Sequence, residues 1–355
     1  MERKHELNPS MRARNERSNP FIKMLASLIV ITWIAIPSFA QQIPIFSLYH
    51  ENGFVLNPAI TGAEGLGIAA LSYRHQWTDV NEAPNTFSGG YRMPIYSKGD
   101  QFQKAGNFIG VGAYVMNDKT GPTSYLSGNV SFAYHISFAK INPFSWAAFL
   151  RKSHLSIGLN ASVNQYRLNS TELVPESAND RLVIAADDSK VLPNAGLGFY
   201  YYYDKFYLGV SAPQVIPLKV KYVEYDGSST IHKINHIFIV AGGKIPFGGK
   251  VTKSRTPRGY TYKFYLEPMV WFKNVQGAPY QYDIYARFRH KNIVWVGAGY
   301  RSSKTIVMDA GVLIKKQLKL GYAYDLSISD LSSYLGGSHE IVLAYQIDFA
   351  SRYRR

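Results

Sequence analysis

The chain has 355 residues, 46% hydrophobic and 14% aromatic, with 27 Tyr, 29 Gly and no Cys. This is a folding composition, and the missing cysteine excludes a disulfide scaffold, a thiolate-held metal centre and a thiol nucleophile. The net charge of +15 comes from 39 Lys and Arg against 24 Asp and Glu, but the basic residues are scattered and form no helix face, so no nucleic-acid partner is expected.

Residues 1–23 carry Arg3, Lys4, Arg12, Arg14, Arg17 and Lys23 ahead of an apolar run over 25–36, a breaker at Pro37, and Ser38-Phe39-Ala40. A basic leader, an apolar stretch and a small-x-small site read as a signal peptide over 1–40, cleaved after Ala40. The run is too short for a membrane helix, which needs about 20 apolar residues. Residues 41–65 follow as an irregular periplasmic arm, where Pro58 restricts Asn57 to extended or turn geometry. This arm is expected to plug or line the periplasmic mouth of whatever follows.

From 66 to 349 the pattern has period two. Leu155, Ile157, Leu159, Ala161 and Val163 alternate with Ser156, Gly158, Asn160 and Ser162, which puts every apolar residue on one face. The same alternation recurs over 126–136, 280–289 and 340–349. Fourteen segments are expected, near 66–77, 85–96, 107–118, 122–139, 153–167, 193–203, 205–212, 232–247, 259–273, 279–290, 292–303, 304–316, 317–328 and 338–349. Their length, about ten residues, suits a tilted span of the hydrocarbon layer, and soluble strands are shorter. The fold expected is all-β, a transmembrane antiparallel up-and-down barrel of about 14 strands in lipid of the outer membrane, with a tail at 350–355. A soluble sandwich would share the alternation but not the strand length.

Tyr73, Trp77, Tyr114, Tyr134, Trp271, Trp295, Tyr300, Tyr322 and Tyr324 near strand ends are expected to form the aromatic girdles. With both chain ends in the periplasm, Tyr203-Asp204, His290-Lys291-Asn292 and Lys315-Lys316-Gln317 are short periplasmic turns. The longest connections, 168–192 and 213–231, then face outward, while 97–106 and the basic stretch 248–258 are long for the periplasmic side.

Local motifs for catalysis or cofactors fail on inspection. Gly65-Leu66-Gly67 leads into a strand where a dinucleotide turn must open a helix, and Gly248-Gly249-Lys250 lacks the rest of a phosphate loop. His232 and His236 would lie about 13 Å apart along a strand, too far to share one metal. Asp180, Asp187 and Asp188 lack the spacing of a calcium loop. No cofactor, metal or enzymatic activity is expected. The candidates are polar groups of the lumen or mouth: Arg74, Gln76, Arg92, Asp283, Arg287, Arg289, Asp309 and Lys315. They serve either to touch a partner or to bridge one another across the lumen. Asn57, Pro58, Gly121 and Pro122 are read as turn residues.

Several stretches together resemble the PorP/SprF family of outer-membrane proteins of the type IX secretion system and its gliding machinery. They are FSLYHENGFVLNPAITG (46–62), YRHQW (73–77) with Ala83-Pro84, NDKTGPTS (117–124), SIGLNASVNQYRLN (156–169), PNAGLGFYYYYDKFYLGVSAPQ (193–214), QGAP (276–279), VGAGYR (296–301), LGYAYDLSISDL (320–331) and GSHEIVLAYQ (337–346). The resemblance implies a barrel working with periplasmic ring and translocon components on secreted cargo, adhesin or enzyme, that carries a C-terminal sorting domain. A general solute channel is the competing expectation.

Overall fold

Alternation of apolar and polar residues becomes a wall with two faces in the computed structural model, which describes residues 46–96, 106–138, 153–169, 188–216, 218–221, 230–233, 236–253, 260–275 and 278–348. The expected signal peptide, the tail, and Asp180 and Asp187 lie outside the described residues. The strands are β1 (Gly67–His75), β2 (Asn85–Ile95), β3 (Phe108–Thr120), β4 (Thr123–Ser137), β5 (His154–Leu168), β6 (Asp188–Tyr202) and β7 (Phe206–Ala212). They continue with β8 (Leu218–Lys221), β9 (Thr230–Lys233), β10 (His236–Gly243), β11 (Ile245–Lys253), β12 (Tyr260–Val275) and β13 (Gln281–His290). The last are β14 (Val294–Arg301), β15 (Thr305–Ile314), β16 (Leu318–Ser327) and β17 (Ser338–Ile347).

Fourteen of these form a closed antiparallel barrel. Each of β1 to β7 pairs with the next, β7 pairs with β10, β10 with β12, and β12 to β17 run on to meet β1. Closure pairs Gly67 with Ile347 through to His75 with His339. A closed wall leaves no unpaired edge in lipid, which is why a barrel crosses a membrane where an open sheet does not. Among the described residues, β8 and β9 pair only with each other, within the long connection that follows β7.

β10 and β11 act as one strand against β12. Gly242 faces Met269 and Ile245 faces Leu266, so the register continues across Lys244. The stretch 248–258 is therefore not simply a turn: Gly248 and Gly249, at φ 76° and 80°, sit at a bulge that lets the ladder continue to Lys253. The connection after β5 is likewise shorter than expected, because pairing of Leu168 with Asp188 extends β6 back past Leu192. Gly121, at φ 51°, and Pro122 make the tight turn between β3 and β4, as turn chemistry requires. The three expected tight turns near 203, 291 and 316 are present.

The outward face is apolar and uncovered: Val130 is 61% exposed, Leu159 59% and Val163 56%. Such a band is what lipid covers. The inward face of the same strands carries Ser127, Asn129, Ser131, Ser156, Asn160 and Asn164, all buried. Tyr73, Trp77, Tyr134, Tyr300 and Tyr322 face outward as girdle residues should. Tyr114, Trp271 and Trp295 do not; they are buried in the lumen. Each shares its parity with inward neighbours, Tyr114 with Met116 and Trp271 with Met269 and Lys273, so they cannot turn out without a register shift.

Candidate functional site: an arm held in the lumen

Residues 46–62 run through the inside of the barrel. Helix α1 (Tyr49–Leu56) is only eight residues long, too short to persist alone in water, and seven of the eight are buried. The wall therefore holds it. At its end Asn57 is extended, at φ −139°, and its side chain accepts from the Ala59 N–H at 2.9 Å, opening a 3₁₀ turn at Pro58–Ile60. Pro58 suits that first position because its missing N–H would be unsatisfied there anyway. The Asn57 amide also donates to the Phe199 carbonyl of β6 at 3.2 Å, so a residue read as turn chemistry clamps the arm to the wall as well.

Charges on one side of the wall fix the front of the arm. The Ser47 N–H donates to Glu340 at 2.5 Å, its hydroxyl donates to Asp325 at 2.8 Å, and it accepts from Arg74 at 2.8 Å. Arg74 reaches Asp325 at 2.7 Å and Glu340 at 3.4 Å, and also touches Gln76 at 3.4 Å. The Tyr49 hydroxyl donates to Asp283 at 2.7 Å and accepts from Lys273 at 2.5 Å, while its ring stacks on Trp271 at 4.8 Å. Arg301 joins the two carboxylates, reaching Asp283 at 3.2 Å and Asp325 at 3.1 Å.

Deeper along the helix, Glu51 meets Lys319 at 2.7 Å and Arg287 at 3.3 Å. Arg287 also reaches Asp309 at 3.3 Å, whose other contact is the Trp295 indole N–H at 2.9 Å. Burial alone would raise the Glu51 carboxyl, but the Lys319 and Arg287 charges outweigh it and hold the group well below the usual carboxylate range. Arg92 binds Glu64 at 2.6 Å and lies over the Phe54 ring at 4.6 Å.

The opposite side of the wall makes room for the arm and holds it with neutral hydrogen bonds instead of ion pairs. Gly158 of β5 lies against the backbone of Pro58 and Ala59, and Gly110 of β3 against the carbonyl of Thr61, so closely that a Cβ at either position would overlap the arm. That same Thr61 carbonyl accepts from His135 at 2.9 Å, and the Thr61 hydroxyl pairs with Ser131 at 3.0 Å. Between arm and wall, near Ser47, Tyr49, Asp283 and Tyr285, a gap of about 10 Å³ remains, room for about one water.

Most of the expected lumen residues thus converge on the arm. Arg74, Arg92, Asp283, Arg287 and Asp309 are buried against it or against its partners. Arg289 faces the lumen but pairs with Glu267 at 2.8 Å and, among the described residues, makes no ion pair with the arm. Lys315 lies one residue beyond the end of β15 at Ile314, in the exposed turn expected at 315–317, at φ 48°, so of the two expected places it takes the mouth and not the lumen wall. Ser47, Tyr49, Glu51, Lys273, Arg301, Lys319, Asp325 and Glu340 were not singled out. Alternation in β16, where Lys319, Gly321, Ala323 and Asp325 oppose Leu320, Tyr322 and Tyr324, carried the signal for two of them.

Solved barrels of similar shape are only distantly related. The TodX monoaromatic hydrocarbon channel, as a deltaS2 mutant, is 10% identical over 84% of this chain and 94% of its own, with TM-score 0.43. Acinetobacter baumannii Omp33 is 9% identical over 80% of this chain and 98% of its own, with TM-score 0.38. BamA from Haemophilus ducreyi lacking POTRA domains 1–3 is 8% identical over 79% of this chain and 70% of its own, with TM-score 0.38. Likeness of this degree carries no functional argument. A search of curated proteins returns no match. The family profile for the type IX secretion system membrane protein PorP/SprF, by contrast, matches residues 38–345, which takes in the arm and nearly the whole wall. This outer-membrane barrel with its internal arm belongs to the PorP/SprF family of type IX secretion system membrane proteins.

Proposed function

We propose that the protein is a non-enzymatic barrel that binds secreted cargo with a C-terminal sorting domain, an adhesin or an enzyme, and helps to export it and anchor it at the cell surface. The observation that carries this reading is the family match over 38–345. Periplasmic ring and translocon components are its other partners, and a signal peptide over 1–40 takes the chain across the inner membrane. Neither the family nor the barrel fold is known for enzymatic activity. The arm lying across the lumen counts against a permanently open solute channel.

In this reading Arg74, Arg92, Asp283, Arg287 and Asp309 hold the arm. Partner contact then falls to the loops and rims. Cross-linking in cells, purification of the tagged barrel from the outer membrane and mass spectrometry of what accompanies it form the test. Recovery of a large secreted protein with a C-terminal sorting domain, together with ring components, is the expected result; recovery of the barrel alone would overturn it.

A further inference from the structure

No described residue of the arm contributes to the ladder of the barrel. The pairing closes from β1 to β17 starting at Gly67, and residues 46–62 are held by side chains, by single backbone bonds and by close fit. The wall is therefore complete without the arm. What the arm occupies is also wide, because a helix with its side chains measures about 10–12 Å across, and α1 lies wholly inside.

The charges are not evenly divided between arm and wall. Arg74, Lys273, Arg289 and Arg301 each have a carboxylate partner on the wall, in Asp325, Asp283 or Glu267. Arg92 and Lys319 do not share that arrangement. Among the described residues their ion pairs are to Glu64 and Glu51, both upstream of β1. Arg287 divides its ion pairs between Glu51 of the arm and Asp309 of the wall. The arm thus supplies the counterions for a cationic arc that spans β2, β13 and β16.

We propose that the arm is a displaceable plug over a latent anion-selective pore. With the arm in place, the bore is filled and its cations are neutralised. With the arm withdrawn, a water-filled bore is left whose excess cations on Arg92 and Lys319, with Arg287 kept only by Asp309, draw small anions in and repel small cations. Whatever displaces the arm in the cell must replace those counterions, so an acidic segment is the chemistry that fits the vacated bore.

The test uses the full-length protein in planar bilayers with a potassium chloride gradient. Wild type is expected to be silent. Gly158→Leu places a side chain where the Pro58–Ala59 backbone lies and expels the arm without deleting it. That variant is expected to conduct steadily with a reversal potential on the chloride side, and adding Arg92→Gln with Lys319→Gln is expected to abolish the selectivity but not the conductance. Heat-modifiable migration reports whether each barrel is closed. Steady conductance by wild type overturns the plug, as does a closed Gly158→Leu barrel that stays silent; selectivity for potassium overturns the anion assignment. If Gly158→Leu does not assemble, Glu51→Gln with Glu64→Gln keeps the fit and removes the counterions. Brief anion-selective openings are then expected, and continued silence would sink the proposal.

Discussion

The two sides of the wall grip the same arm by opposite means. Strands β13 to β17 with β1 present Arg287, Arg301, Asp309, Asp325, Glu340 and Arg74, and hold Ser47, Tyr49 and Glu51 through charge. Strands β3 to β6 present Gly110, Gly158 and Gly198, and admit Asn57 to Thr61 by having no side chains in the way. Ion pairs fix where the arm sits along the bore. Missing Cβ atoms fix how deeply it lies against the wall. A polar lumen with only charges would hold an arm loosely, and one with only glycines would hold it without a register.

Breaking the charged side is expected to have the largest effect. Arg287→Ala strips a partner from both Glu51 and Asp309 inside the barrel and is expected to cost about 3–5 kcal/mol, the price of leaving buried charge unpaired. The temperature at which the purified protein loses its compact gel migration measures it. A loss under about 1 kcal/mol would mean that water takes over those contacts and that charge is not what positions the arm.

On the glycine side, Gly158→Ala forces the Pro58–Ala59 backbone to move and is expected to cost about 1–3 kcal/mol by overpacking. Gly128→Ala is the control, since nothing lies within 4 Å of its added carbon. Protease cleavage within the arm should rise in the first and stay at the wild-type level in the second. Equal behaviour of the two would remove the glycine side from the comparison.

A smaller loss tests the joint between the two sides. Asn57→Ala deletes both the bond to Phe199 and the one that opens the 3₁₀ turn, with an expected cost of about 1–2 kcal/mol. Thermal unfolding in detergent would record it.

The smallest effect is that of pH on Glu51. Its carboxyl is held below the ordinary value of about 4.3, so the stability it contributes is fully present above that pH and is lost as pH falls through the lowered value. Between pH 8 and pH 5, Glu51 should therefore give no change in arm protection. The comparison is wild type against Glu51→Gln; a difference that varies across that interval would contradict the pairing with Lys319 and Arg287.

Alternation made the barrel legible, because period two is local and survives without knowledge of partners. All fourteen wall strands follow from it, as does the inward placement of Arg74, Arg92, Asp283, Arg287 and Asp309. What it could not disclose is whether an aromatic faces lipid or an internal segment, since Trp271 suits either side until the arm is known to lie beneath it. Nor could spacing pair Ser47 with Glu340, which are brought together by closure alone. The role of Gly158 was hidden for a different reason: a glycine on a polar face reads the same whether it meets water or another backbone.

The bond between Ser47 and Glu340 spans 293 residues, nearly the full described length. Contacts of such separation form late, since the entropy of closing so long a loop must be met before they give anything back. The first residues of the arm meet their partners on β16 and β17, the last strands to be made, while Thr61 meets His135 on β4. The front contacts of the arm thus wait on the last strands, and a barrel that sealed first would face the harder task of threading its own leading segment into a finished tube.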